Sequence, residues 1–189
     1  MTSGPGRQPS AAEEHLRAAV EVRPAVVADI PAVAAIYAHH VLTGTGSFEE
    51  DPPGEDEMRG RFELVAGRGL PYLVADGGGL VRGFAYAAPF RPRSAYRFTV
   101  EDSVYVAPAM VGLGIGRLLL AGVIERCRSR GLRQMVAVIG DAGNRRSIAL
   151  HAALGFRAAG SLQQVGCKFG RPLDVVFMQR ALAGDPAGK

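Results

Sequence analysis

A single mixed α/β domain is the fold class this sequence predicts, and three observations carry the prediction. Two apolar runs, "YLVA" and "LVRGFAYA", bracket Asp76-Gly77-Gly78-Gly79, which is the composition of a tight hairpin. An alternating run ("TVEDSVYV"), a glycine-rich bend, a helical repeat and a continuous apolar run ("MVAVI") then follow in that order, the pattern of a parallel crossover unit. The chain has 189 residues, 48% of them hydrophobic and 21% charged, which is enough for one domain with a sizeable core.

Residues 1–19 are rich in Gly, Pro, Ser and Ala and read as a loosely attached extension, with Ser10 and Glu13 at capping-box spacing to start a short helix that runs through 15–19. The domain is expected over 20–182, followed by a tail over 183–189. Val20 and Val22 alternate as a first strand. Asp29 is placed to cap a helix whose Ile30, Val33, Ala34 and Tyr37 recur at i, i+3, i+4 and i+7, so that one face is buried. A polar loop over 43–53 leads to Met58, Phe62 and Val65, again at helical spacing. After the hairpin, side chains along 99–106 switch faces at each residue. Val100, Val104 and Val106 therefore share one face, while Thr99, Glu101, Ser103 and Tyr105 share the other. From Ile115, the positions Leu118, Leu119, Val123, Ile124 and Cys127 keep a helical period as far as Gly131, with Arg126, Arg128 and Arg130 near the negative end. The run 135–139 suits a strand covered on both faces. A helix over 147–154, ended by Gly155, and two strands around 158–162 and 174–178 complete the domain.

Composition narrows the function classes. No stretch approaches the length of a membrane span, and the start lacks the basic and apolar regions of a signal peptide, so a cytoplasmic protein is expected. Cys127 and Cys167 are too few and too far apart for a disulfide framework or a zinc knuckle and read as plain thiols. The net charge is +4 and the pI about 9.4. The basic residues are scattered and do not interleave with aromatics, which argues against nucleic acid and leaves an anionic small molecule or a plain solvated surface. His39 and His40 fall at a helix end, where a cation is favourable, and do not make a metal site.

The bend in "VAPAMVGLGIGRLLL" raises the question of what it holds. A nucleotide P-loop needs Lys-Ser/Thr after the last glycine, but Gly116 is followed by Arg117-Leu118. A dinucleotide fingerprint needs G-x-G-x-x-G and a later acidic residue, but Gly112, Gly114 and Gly116 space as G-x-G-x-G and the next strand ends in Ile139-Gly140. What remains is backbone that can approach an anion at the positive end of a helix, to which a pyrophosphate is suited. The alternative is a turn that only lets the helix pack on its strand.

Residues 104–126 resemble the central motif of the GCN5-related N-acetyltransferase (GNAT) family, a strand running through Gln/Arg-x-x-Gly-x-Gly/Ala into a helix. The resemblance extends over 20–182. The segments "YRFTVEDSVYV", "NRRSIALHAALGF" and "VGCKFGRPLDVVFMQ" resemble the phosphinothricin and methionine-sulfoximine acetyltransferase branch. This implies a GNAT fold with a mixed, mostly antiparallel twisted sheet, a parallel β-α-β cofactor unit and flanking helices. It also implies acetyl-CoA as co-substrate, no metal, and a homodimer. The implied reaction is acetyl transfer to the α-amine of phosphinothricin, methionine sulfoximine, methionine sulfone or a different small amine. By resemblance, Val104, Tyr105 and Val106 pair their backbone with the pantetheine arm. Val111, Gly112, Leu113, Gly114, Ile115, Gly116 and Arg117 form the pyrophosphate loop, and Asn144 contacts the cofactor beyond the next strand. One departure stands out: the family's Gln or Arg at the head of the motif is Val111 here, and the spacer is Leu113. That departure keeps open a non-catalytic acetyl-CoA sensor.

The attacking amine must be neutral, and a free α-amino group has a pKa of about 7.7 to 8.0, so a base is useful. Glu101, on the strand that leads into the bend, is the candidate and corresponds by resemblance to the branch's catalytic glutamate; the alternative is a surface carboxylate. His151 assists the base by resemblance, or is a helix histidine satisfied by a neighbour. A thiolate is a tolerable leaving group at a pKa of about 8.5, which makes a dedicated acid optional. The aromatic of "LGF" is Phe156, so a tyrosine is not available there. Arg91, Arg93 and Arg97 surround Tyr96, and guanidinium forks bind carboxylates, phosphinates and sulfonyl oxygens. By resemblance Ser94, Ala95 and Tyr96 line the acceptor end and Phe48 covers it. Lys168, Arg171 and Asp174 suit a dimer contact or a turn.

Overall fold

The computed structural model describes residues 20–182, and the expected helix over 15–19 lies outside the described residues. Seven strands form one sheet: β1 (Val20–Pro24), β2 (Tyr72–Gly77), β3 (Val81–Pro89), β4 (Thr99–Val106), β5 (Gln134–Gly140), β6 (Arg157–Lys168) and β7 (Arg171–Ala181). Four helices flank it: α1 (Ile30–Thr43), α2 (Glu55–Gly67), α3 (Ile115–Ser129) and α4 (Arg145–Ala153). The strand order is β1-β2-β3-β4-β5-β7-β6, and only β4 and β5 run parallel, joined through α3. The mixed, mostly antiparallel architecture expected from the sequence is the one observed. Among the described residues no helix is long and apolar enough to cross a membrane.

Side-chain alternation sends each strand's residues into two cores. Leu73 and Ala75 of β2, Ala85 and Ala87 of β3 and Val100 of β4 pack with Leu119, Leu120, Val123 and Cys127 of α3. Tyr72, Val74 and Phe84 pack on the other face with Ile30, Val33, Ala34, Tyr37 and Val41 of α1 and Met58 and Val65 of α2. There Tyr72 stacks on Phe84 and Tyr86, and Phe84 on Tyr105, with centroids 5.0 to 5.9 Å apart. Helices α1 and α2 cover only the β1 to β4 half of this face. Groups on β5, β6 and β7 remain open there, including Leu162 and Val165.

Several local expectations are corrected. Asp29 stands at the N-cap of α1 without bonding to it. Its carboxylate accepts from the Val26 N–H and from the Arg23 guanidinium at 2.8 Å, because the arginine on β1 is the stronger partner. Leu118 is exposed while Leu119, Val123, Ile124 and Cys127 are buried as expected and Leu120 joins them, because Leu118 points to the side of the helix away from the stripe they set. The last two strands are longer than their apolar cores suggested and form a hairpin closed at Phe169 and Gly170, both at positive φ.

Candidate active site

The site is built where β4 and β5 part. They pair from Thr99↔Gln134 to Asp102↔Ala137 and no further, after which β5 stays with β7. The Ala107 N–H donates to the Arg82 carbonyl at 2.9 Å, and the Phe90 N–H to the Thr99 carbonyl at 3.3 Å. Odd-numbered residues of β4 therefore face β3, and even-numbered ones aim their backbone groups toward β5. Beyond Asp102 those of Val104 and Val106 open into the gap. One is already taken: the Val106 carbonyl accepts from His40 Nε2 at 2.8 Å. Burial lowers the His40 pKa below 6.5, with His39 acting in the same direction, so His40 is a neutral donor rather than the helix-end cation expected.

Past β4 the chain bends through Gly112 and Gly114, at φ of 93° and 80°. A side chain is costly at such angles. Of the first N–H groups of α3, those of Arg117 and Leu118 turn back to the Gly114 carbonyl at 3.1 Å. Those of Ile115 and Gly116 are left facing outward at the helix's positive end. Gly116 is also where backbone and cavity meet closely: a Cβ there would stand 3.4 Å from Leu150 and 3.5 Å from Val106.

The gap and the bend share one cavity of about 850 Å³. It is lined by Val104, Tyr105, Val106, Val111, Gly112, Gly114, Ile115, Gly116, Arg117 and Asn144, each a cofactor candidate from the sequence. Leu113 is the exception; it turns into the core beneath α3 because its neighbours at positive φ aim it inward. Asn144 caps α4, its Oδ1 accepting from the Ser147 N–H at 3.2 Å. Arg146, Asp141 and Gly44 to Gly46 also line the cavity, and no local pattern marks them for it. Strand edge, glycine nest, helix start and two arginines fit the amide arm and pyrophosphate of a coenzyme A thioester, and the thioester would supply the acyl group to be transferred. Among the described residues no group of three metal ligands is found.

Glu101 lies on the other face of β4, in register with Val136. It is half-buried and does not line the cavity. Burial raises its pKa above 4.5 and the neighbouring Asp102 adds to that, against the charge of Arg91. Beside it on the same face a second hollow of about 460 Å³ is lined by Phe90, Tyr96, Thr99, Val136, Gly160 and Phe177, among others. Of the acceptor candidates, Tyr96 lines this hollow. Arg91 is close enough to act on Glu101, whereas Arg93, Ser94 and Ala95 are exposed on the loop before β4 and line neither cavity.

Phe48 lines neither cavity, and its ring lies between β5 and β6. A Cβ on Gly140 would come within 2.8 Å of its ring, and one on Gly166 would overlap it, so β5 and β6 each leave room for the ring by carrying glycine. The loop that holds it is tied down on three sides. Thr45 Oγ1 donates to Asp141 Oδ2 at 3.0 Å, Lys168 Nζ donates to the Ser47 carbonyl at 2.8 Å, and Tyr37 Oη donates to Glu49 at 3.0 Å. Lys168 is buried, and burial lowers its pKa despite the charges of Glu50 and Glu49. No local pattern in "CKFGRPLD" foretold a tie to a residue 121 positions away.

His151 is buried on the cavity side. Its Nδ1 contacts the Ser147 carbonyl at 2.7 Å and its Nε2 contacts Asp102 Oδ2 at 2.9 Å. Phe156 meets the ring edge-on at 5.0 Å. His151 therefore stands across the strand from Glu101 and reaches Asp102 instead, a residue that the sequence reading passed over.

A family profile described as "Acetyltransferase (GNAT) family" matches residues 33–156. A phosphinothricin N-acetyltransferase of Alcaligenes faecalis is 57% identical over 173 residues, covering 91% of this chain and 88% of the relative. An L-methionine sulfoximine/L-methionine sulfone acetyltransferase of Pseudomonas aeruginosa is 45% identical over 159 residues, covering 84% and 92%. Among solved structures, a phosphinothricin acetyltransferase from Sinorhizobium meliloti in complex with acetyl-CoA superposes with a TM-score of 0.86 at 48% identity, covering 90% of this chain and 92% of that one.

Proposed function

The chain belongs to the acetyltransferase (GNAT) family and is an acetyl-CoA-dependent N-acetyltransferase, and on that premise we propose that its acceptor is the α-amine of phosphinothricin, methionine sulfoximine or methionine sulfone. The observation that carries this is the parting of β4 from β5. It opens a thioester-sized cavity through the gap, lined by Asp102, Val104 and Val106 from the α3 face and by His40, Ser103 and Tyr105 from the other, while Glu101 and the Tyr96 hollow lie on that second face outside it. Donor and acceptor then meet through the gap from opposite sides.

In this reading Val104 by its free backbone groups and Val106 by its N–H hold the pantetheine amides, and the loop from Gly112 to Arg117, with Arg146 and Asn144, holds the phosphates. Glu101 takes a proton from the amine, directly or through a water. Its raised pKa brings it nearer the amine's, which favours that transfer. Arg91 supplies positive charge for a carboxylate or a phosphinate beside Glu101, and the exposed Arg93, Ser94 and Ala95 with Phe48 bound the acceptor's entry. We also expect the enzyme to work in the cytoplasm as a homodimer. The resemblance to the branch supports the dimer, as does the open face of β5, β6 and β7. Sedimentation as a monomer across working concentrations would defeat it.

The test is thiol release from acetyl-CoA with a panel of phosphinothricin, methionine sulfoximine, methionine sulfone, ordinary amino acids and polyamines. Fast release with the first three is the expected result. Release only with another amine overturns the acceptor while leaving the reaction.

A further inference from the structure

Asp102 is the last residue of β4 to pair with β5, so it stands at the apex of the gap. Alternation puts its side chain on the cavity face with Val104 and Val106, opposite Glu101. Its side chain is 1% exposed and that of His151 is 3% exposed. Asp102 Oδ1 lines up with no hydrogen-bond partner, although the residue borders the cavity. A buried acceptor left unpaired is costly, so a group that reaches this atom from the cavity would relieve it.

The hydrogen bonds also fix where a proton must be. The Ser147 carbonyl can only accept, so His151 Nδ1 carries a hydrogen. A 2.9 Å approach of Nε2 to a carboxyl oxygen then requires a hydrogen between them. The pair therefore holds one proton, as imidazolium with carboxylate or as imidazole with carboxylic acid.

We propose that the Asp102–His151 pair is the acid of the reaction, giving its shared proton to the sulfur of coenzyme A as the thioester breaks. The inference rests on the transferase reading above. In balance, the amine nitrogen bonds to the acyl carbon and its proton goes to Glu101. The carbon–sulfur bond breaks with its electron pair on sulfur, and the sulfur takes the proton held between Nε2 and Oδ2. Asp102 is left as carboxylate and His151 as imidazole with hydrogen on Nδ1. Oδ1 then accepts from the new S–H. The two lone pairs now facing each other across Nε2 and Oδ2 favour reprotonation from water, which resets the pair. Two adjacent residues of one strand thus serve the two faces, Glu101 removing a proton and Asp102 supplying one.

The surroundings isolate this proton. Burial opposes the imidazolium of His151, but the hydrogen bond and charge of Asp102 with the Ser147 carbonyl outweigh it and raise the pKa above 6.5. From α3, Cys127 faces the carboxylate as a neutral thiol, pushed by burial to about 12 with Asp102 adding to the rise and Arg130 opposing it. Phe156 closes the ring's edge, and Glu101 lies beyond the strand.

The test uses the full chain labelled with ¹⁵N-histidine, the His151 signals being assigned by their loss in His151→Gln. Both ring nitrogens of His151 should remain hydrogen-bonded to a proton at pH 7 in the wild type. In Asp102→Asn only Nδ1 should carry one. Asp102→Asn should also lower kcat about 100-fold, the usual size of an acid–base contribution, with KM for acetyl-CoA within about twofold. The alkaline limb of its kcat profile should move to lower pH. Wild-type kcat and profile in Asp102→Asn overturn the proposal, as does a wild-type His151 whose Nε2 signal is that of a bare nitrogen with no proton on Asp102. Asp102→Ser is the second variant should the first fail to fold, and the wild-type spectrum needs neither. Failure of the wild type with every amine sinks the transferase reading and the acid with it; failure of Asp102 alone is the case where the wild type turns over and the variants match it.

Discussion

Replacing Glu101 with Gln keeps the shape of the side chain and removes its ability to take a proton. The residue is half-buried on β4, faces away from the cavity, and its pKa is raised chiefly by burial. We expect kcat to fall about 100-fold at pH 7, at the low end for a general base because water can still reach a half-buried site, which is about 2.7 kcal/mol in the barrier. Affinity for acetyl-CoA should stay within about twofold, since each decade would need about 1.4 kcal/mol and no group of the cavity changes. The part of the acid limb set by ionisation of Glu101 should vanish, leaving the part set by the amine itself. Stability gives a second, opposite readout. A carboxyl whose folded pKa is raised costs stability once pH exceeds its unfolded value, and the full cost is present above its folded value. Glu101→Gln should therefore be more stable than the wild type at pH 7 and not at pH 3. Thiol release between pH 4 and 9, calorimetry with acetyl-CoA and urea melts at both pH values check these outcomes. An unchanged pH–rate profile would refute Glu101 as the base.

Gly112→Ala, at a φ of 93°, should cost roughly 1 to 2 kcal/mol of stability and weaken acetyl-CoA binding, read by thermal melts and calorimetry. Gly166→Ala puts a methyl into the Phe48 ring, so the loop over 44–54 should loosen, with a loss of about 1 to 3 kcal/mol and a higher KM for the acceptor. His40 has a folded pKa below its unfolded one, so the unfolded chain takes up the proton first as pH falls, and stability is lost on going below about 6.5. His40→Gln should shrink the difference between urea melts at pH 7 and pH 5. His151 carries the opposite sign, its contribution being present below about 6.5 and lost as pH rises through its raised folded value.

Local pattern was enough for much of this fold. The alternation in β4 and the glycine run before α3 placed Glu101 on one face and the cofactor loop on the other, because both depend on neighbours in sequence. The same alternation sends Asp102 to the valine face, and an ionisable residue among valines was the available signal that the reading did not use. The insertion of β7 between β5 and β6 was not legible, since "DVVFM" pairs as well with either neighbour until the sheet is assembled. The tie from Lys168 to Ser47 joins residues 121 apart and leaves no periodic trace. His40 looked like a helix-end cation because its partner, the Val106 carbonyl, is freed only when β4 parts from β5. Leu118 stands three residues after Ile115 but points away from the stripe of Leu119, Val123 and Cys127, so it lies outside.

In this mechanism acetyl-CoA and the acceptor approach the β4–β5 gap from opposite faces of the sheet and meet there. Backbone amide NMR of the ¹⁵N-labelled chain tests it directly, by titrating first acetyl-CoA and then phosphinothricin with a non-reactive thioether analogue of acetyl-CoA in place. Acetyl-CoA should shift the amides of Val104, Val106 and Gly112 to Arg117, and phosphinothricin should then shift those around Glu101, Tyr96 and Arg91. Phosphinothricin shifts confined to the Gly112 to Arg117 loop, or acetyl-CoA shifts centred on Tyr96, would contradict it.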